Sequence, residues 1–252
     1  HAGTGVTTLM PVLALQGLRG GCGATALSAA LGWALNALQQ SVLLIDLSPA
    51  HQLAAHFNLP LDTPYGWLRA QLDNQPWQHS ALRYQPGLDF LPSGTLTHQQ
   101  TLSLTAATTE IAQPLLKALP ALKQRYQWII FDLPADLLPW QQAFIPAADR
   151  LLQLLTLDAN CQLRLHRAHF SPQTLFLINQ FNANSQLQQD LHQLWLRSLK
   201  NLIPQVIHRD EALAEALMMK QPVGAWRPHA LASEEINTLA NWLLLHVAGG
   251  GA

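Results

Sequence analysis

The stretch that most constrains this chain is Val12 to Leu27, VLALQGLRGGCGATAL, in which an apolar run breaks at glycines and a small-residue helical pattern follows directly. Residues of that kind in that order form a phosphate-binding loop. Backbone N–H groups of the turn and the positive end of the following helix together hold an anion. Gly20, Gly21 and Gly23 let phosphate oxygens approach the main chain. Thr25 stands where a loop hydroxyl binds Mg²⁺. The position before it is Ala24, where such a loop normally carries lysine. The cradle is kept and its usual charge is missing.

Around this loop, short apolar runs alternate with segments of helical period, the pattern of a mostly parallel α/β sheet covered on both faces. Strands are predicted at Val12–Gly17, Val42–Leu47, Leu88–Pro92, Trp128–Leu133, Leu151–Leu157, Thr174–Asn179 and Ile203–Ile207. Helices are predicted near Ala24–Gln39, Gln52–Phe57, Glu110–Lys123, Leu137–Ala147, Asn160–Arg167, Ser185–Leu199, Glu211–Lys220 and Ser233–His246. No stretch has the Pro/Gly/Ser density of a linker, so residues 10–248 read as one doubly wound nucleotide-binding domain. Residues 1–9 lack the marks of a signal peptide and read as a tag, a scar or the remnant of a fused partner. Residues 249–252 read as a flexible tail.

Two carboxylates complete the pattern. Asp46 ends the run VLLID and Asp132 ends WIIFD, so both are expected at the same sheet edge as the loop, within reach of nucleotide-bound Mg²⁺. Either alone is as readily an N-cap or a solvated strand end. Together with the loop, and in this order, they point to a nucleotide site.

Composition narrows the partners. A net charge of −1 and only four lysines (Lys117, Lys123, Lys200, Lys220) exclude a broad nucleic-acid or anionic-lipid surface. No apolar run is long enough to span a membrane, and the terminal helical pattern lacks the basic residues of a membrane-surface helix. Cys22 and Cys161 lie far apart without metal spacing, which fits small apolar thiols in a reducing compartment, so the cytoplasm is expected. The eight tryptophans read as helix–sheet packing, with a surface role left open for Trp67 and Trp77, which flank a polar segment beyond the second strand. The eleven histidines show no ligand grouping, and no zinc site is assigned.

With these residues in view, the chain resembles the deviant-Walker P-loop ATPases of the MinD/ParA class. Arg19-Gly20-Gly21-Cys22-Gly23-Ala24-Thr25-Ala26 stands in place of the class loop KGGxGKTT, Asp46-Leu47-Ser48-Pro49 in place of its DLDP-like strand end, and Asp132-Leu133-Pro134 in place of its Walker B. Within the class, QGLRGGCGATAL, RYQWIIFDLP, LDANCQLRLH, IHRDEALAEA, KQPVG and EEINTLANW resemble the BcsQ (YhjQ) family, cytoplasmic accessories of bacterial cellulose secretion. The resemblance implies ATP and Mg²⁺ as ligands and a homodimer closed around two nucleotides. It also implies a small BcsR-like companion and recruitment to the membrane-bound cellulose synthase complex through protein contacts, with no nucleic acid and no membrane insertion.

Residue by residue, the resemblance implies that Gly20 to Ala26 hold the phosphates and that Thr25, Asp46 and Asp132 surround the metal. Arg19 replaces the signature lysine that reaches across the dimer, and is a candidate stabiliser of charge. Ser48 stands where a switch carboxylate orients the attacking water. Losing that carboxylate and the lysine at Ala24 is expected to slow hydrolysis more than binding. Asn179 matches a position that reads the base, or is a turn asparagine at a strand end. Arg209 lies near the expected base edge, beside an Asp210 that either shares that edge or only caps a helix. Arg164 is an interface candidate or a solvated helix arginine. The rival functions are a cargo-positioning ATPase of the ParA type, a MinD-like membrane switch, and a degenerate interaction domain that binds no nucleotide.

Overall fold

A computed structural model describes residues 10–249. The expectations for residues 1–9 and for the end of the tail, residues 250–252, fall outside them. Eight strands form one sheet: β1 (Val12–Gly17), β2 (Val42–Asp46), β3 (Leu82–Gln85), β4 (Leu88–Leu91), β5 (Trp128–Leu133), β6 (Arg150–Leu155), β7 (Thr174–Phe181) and β8 (Leu202–His208). Their order is β3-β4-β2-β5-β1-β6-β7-β8. All neighbours are parallel except β3 against β4. Both faces are covered, so β2 and β5 are buried throughout and β1 at all but Gln16, and each begins as an apolar run.

Side chains of one strand alternate between two cores. Leu13, Leu15, Leu44 and Ile130 face one side, where α1 (Ala24–Ala37) packs. Val12, Ala14, Ile45 and Phe131 face the other, where Trp67 of α2 (Trp67–Leu72) meets Trp140 at 5.9 Å. On this side also lie α3 (His98–Thr105), α4 (Gln113–Arg125) and α5 (Pro139–Gln142) through Leu104, Leu115 and Trp140. The remaining helices are α6 (Ala159–Arg167), α7 (Gln186–Ser198), α8 (Glu211–Met218), α9 (Val223–Trp226) and α10 (Leu231–Leu243). Helix α10 packs along α1, and Gly224 of α9 lies against the Trp33 ring, where a Cβ would come within 2.5 Å.

Several expectations are corrected. The segment expected as a helix over Leu137–Ala147 is helical only at Pro139–Gln142, with Pro146 barring an extension. The short helix expected at Gln52–Phe57 is a 3-10 turn over Leu53–Phe57. For Trp67 and Trp77, where a surface role was open, the core reading holds: both are buried, and the Trp67 indole N–H donates to the Asp46 carbonyl at 2.7 Å. Strand β3 and helices α2, α3 and α9 were not expected.

Candidate functional site

The loop after β1 is built from backbone. Gly21 and Gly23 sit at φ +83° and +89°, the left-handed region that a side chain resists, so the chain turns sharply before α1 begins at Ala24. Two amides from the end of β7 hold the turn from outside. Asn179 Nδ2 donates to the Cys22 carbonyl and Gln180 Nε2 to the Gly21 carbonyl, each at 2.8 Å. A Cβ on Gly23 would stand 2.8 Å from that Asn179 nitrogen. With its carbonyls tied back, the loop closes over a cavity of about 330 Å³ lined by Gly20 to Ala26, Ser48, Gln52, His56 and Pro134. No charged side chain lies in the first turn of α1 to offset its positive end.

The carboxylates lie deeper. Asp46 and Asp132 are register partners across β2 and β5, and both are buried beneath the cavity rather than along its wall. The Asp46 carboxylate accepts from the Ser48 N–H at 2.9 Å and from the Ser93 hydroxyl at 3.4 Å. Burial, then the neighbouring Asp132, pushes its pKa well up. Asp132 accepts from Ser28 Oγ at 3.1 Å. Burial raises its pKa as well, against the pull of the Thr25 and Ser28 hydroxyls. Its second oxygen, Oδ2, is buried without a partner among the described residues. Two adjacent carboxylates in a dry setting repel when both ionise, and a cation relieves that repulsion.

Arg19 does not project from the loop. Its Nη2 donates to Asp158 Oδ2 at 2.6 Å and its Nη1 to the Gly20 carbonyl at 2.7 Å. The hydrogen bond to Asp158 holds the guanidinium pKa up. Asp158 also caps α6 through Cys161 N–H, and accepts from Thr156 Oγ1 at 2.6 Å. Arg164 lies on α6, bonded to Asn160 at 3.0 Å and facing the Leu18 carbonyl at 3.5 Å.

A second cavity, of about 340 Å³, adjoins the first and is lined by Gly23, Asn179, His208, Arg209, Asp210 and Leu217 among others. Arg209 is exposed and pairs with Glu211 at 3.6 Å. Asp210 is a cap for two helices at once, accepting from Ala212 N–H of α8 and Ala232 N–H of α10 at 2.9 Å each. Asn179 serves the loop with its nitrogen, while its oxygen is buried without a partner among the described residues. His56 lines both cavities, and burial lowers its pKa to about 4, so it is neutral at physiological pH. Sequence reasoning passed over His56, because a lone histidine after β2 carries no spacing signal. It also passed over the approach of the two thiols. Cys22 and Cys161, treated as unrelated, both reach the Thr156 hydroxyl.

Comparison with known proteins places this geometry in a family. Residues 10–244 match the family model for cellulose biosynthesis protein BcsQ. A BcsQ of Salmonella typhi is 46% identical over 242 residues, covering 95% of this chain and 96% of that protein. The fold resembles the septum site-determining protein MinD of Pyrococcus horikoshii, solved with Mg-ADP, at a TM-score of 0.75 and 18% identity, covering 95% of this chain and 97% of that one. It also resembles a ParA family ATPase from Chlorobium tepidum at a TM-score of 0.73 and 21% identity, covering 95% of this chain and all of the other. The chain belongs to the BcsQ family of cellulose biosynthesis proteins and has the MinD/ParA fold.

Proposed function

We propose that this BcsQ-family chain is a nucleotide-dependent switch or scaffold of bacterial cellulose biosynthesis and secretion. It binds ATP with Mg²⁺, pairs face to face with a second copy around two nucleotides, and hydrolyses slowly or not at all. The observation that carries this reading is a cradle made of backbone with no charged catalytic partner. Gly21, Gly23 and the free end of α1 supply N–H groups to an anion, while Ala24 and Ser48 bring no charge to the reacting phosphate. Such a site keeps ground-state binding and loses what acts only in the transition state.

The residues present fit Mg²⁺ and a nucleotide. The orphaned Asp132 Oδ2 and the mutual repulsion of Asp132 and Asp46 favour a nearby cation, and the Thr25 hydroxyl lies between Asp132 and the cavity. Thr25 would ligate the metal, with both carboxylates behind it. The metal, when bound, neutralises phosphate charge. The second cavity, with the unpartnered Asn179 oxygen, suits a base. Among the described residues no helix is long and apolar enough to cross a membrane. In this reading, which rests on the family resemblance, the protein works in the cytoplasm and meets the membrane-bound synthase through protein contacts, together with a small BcsR-like companion.

Isothermal titration with ATP and Mg²⁺ tests the reading. The parent is expected to bind, Thr25→Ala to bind about tenfold more weakly, and phosphate release from the same samples to stay near background. A parent that gives no binding heat leaves a domain acting through protein contacts alone. A Thr25→Ala protein that titrates like the parent removes the metal assignment.

A further inference from the structure

Two cysteines distant in sequence meet at the phosphate loop. Cys22 lies between the two strained glycines, and Cys161 lies in the first turn of α6. Thr156 Oγ1 is 3.8 Å from the Cys22 sulfur and 3.4 Å from the Cys161 sulfur. That hydroxyl gives its one proton to Asp158, so it faces both thiols as an acceptor. Both cysteines are free thiols. Cys22 lines the phosphate cavity with 1% of its surface exposed, and Cys161 behind it is fully buried.

We infer that Cys22 and Cys161 form an oxidisable dithiol, with Cys22 the thiol oxidised first, Cys161 the resolving thiol, and an intramolecular disulfide that disables the phosphate loop. The oxidant class is a peroxide, small enough to enter the cavity. The Cys22 thiolate attacks one peroxide oxygen: an S–O bond forms, the O–O bond breaks, and hydroxide leaves and takes up a proton as water. The Cys161 thiol then attacks the sulfenic sulfur. An S–S bond forms, the S–O bond breaks, and a second water leaves with the Cys161 proton. Two thiols are oxidised and one hydrogen peroxide is reduced to two waters.

The division of labour follows from the surroundings. The neighbouring Cys161 thiol draws the Cys22 thiol pKa down against the opposing effect of burial, with Arg19 adding to the lowering, while Cys22 and burial push the Cys161 thiol up. Cys22 is the better nucleophile at neutral pH, and Cys161 stays protonated until a sulfenic acid appears beside it. A disulfide draws the sulfurs to about 2 Å, which drags the centre of the loop toward α6. The Cys22 carbonyl is held by Asn179 and its neighbour Gly23 has no slack, so the cradle distorts.

The test is peroxide treatment of the folded protein, followed by non-reducing peptide mapping. The expected product is a Cys22–Cys161 linked peptide, lighter by two hydrogens and restored by dithiothreitol. In Cys161→Ser, a dimedone-type trap should label Cys22 as sulfenic acid. The inference is overturned if both thiols survive peroxide that oxidises the urea-unfolded chain, if the links run between molecules, or if the trap fails to label Cys22. The effect on ligand rests on the nucleotide reading. Oxidised protein should bind ATP–Mg²⁺ about tenfold more weakly, and bound ATP should slow oxidation. If the reduced protein binds ATP but oxidation leaves affinity unchanged, the disabling role fails and the nucleotide reading stands. If ATP does not bind at all, the nucleotide reading fails, and the peptide map alone decides the dithiol.

Discussion

The loop after β1 and the carboxylate pair at the ends of β2 and β5 do the same electrostatic job by opposite means. In the proposed function the loop would hold an anion with peptide N–H groups and a helix end, so its side chains vary without destroying it. Lysine gives way to Ala24 and the turn stays in place, because its shape is set by Gly21, Gly23 and the two amides on its carbonyls. The carboxylates act through their side chains alone, buried side by side and unstable together until something positive arrives. A site made of backbone tolerates substitution and resists any change of conformation. A site made of buried charge does the reverse. That contrast explains how the chain can lose two charged groups and remain a nucleotide binder of the kind proposed.

The largest effect should come from breaking the backbone. Gly23→Val forces a β-branched residue to φ +89° and drives its Cβ into the Asn179 amide at 2.8 Å. A cost of about 3 kcal/mol in folding stability is expected, together with loss of the ATP–Mg²⁺ heat. Denaturant midpoint and titration check it. A Gly23→Val protein that stays as stable as the parent and binds ATP would show that side chains build the cradle after all.

The same contrast governs what was legible in the sequence. Strands β1 and β5 lie at the residues expected, because runs buried on both faces carry a signal at every position. β3 was missed because it is a four-residue edge strand, LRYQ, with one covered face and no apolar run to announce it. Helix α3 was hidden by polar, glutamine- and threonine-rich sequence held by a Thr97 capping box, and α2, WLRAQL, by being under two turns long. The loop, Asp46 and Asp132 were legible from residue type and order. The tie from Arg19 to Asp158, the double capping by Asp210 and the approach of Cys22 to Cys161 were not. Each joins segments brought together only by the sheet order, and neither spacing nor composition records that.

The next effect comes from the carboxylates and depends on pH. Their native pKa values lie above the ordinary carboxylate range, so the folded protein holds more protons than the unfolded chain between that range and the raised values. Stability from this pair is therefore fully present at low pH and falls as pH rises through the native pKa values. His51 and His56, whose pKa values burial lowers, oppose the trend by favouring the folded state at higher pH. Comparing the parent with Asp132→Asn cancels the histidines. Without ligand, Asp132→Asn should gain on the order of 2 kcal/mol over the parent near pH 8 and little near pH 5, read by urea denaturation. Saturating ATP and Mg²⁺ should reverse the order, because the parent pair then has its cation. An equal advantage at both pH values would mean that repulsion between Asp46 and Asp132 is not what the mutation relieves.

The smallest effect on folding, and the one that separates folding from assembly, concerns Arg19. Its ion pair with Asp158 is partly exposed, with side-chain accessibilities of 27% and 34%, so it contributes at most about 1 kcal/mol. Arg19→Glu should shift the denaturant midpoint only slightly, although it sets two carboxylates face to face. Assembly should respond far more. A sandwich dimer buries two triphosphates against one another, and with Ala24 uncharged the compensating cations are the metals and Arg19. To serve there, Arg19 must exchange Asp158 for phosphate. Its Nη1 is already on the loop carbonyl of Gly20, so that exchange is a rotation of the guanidinium rather than a rebuilding of the loop. Light scattering in saturating ATP and Mg²⁺ decides the matter. The parent is expected as a dimer and Arg19→Glu as a folded monomer. If Arg19→Glu dimerises like the parent, the Arg19–Asp158 pair is a brace for the cradle and has no part at the seam.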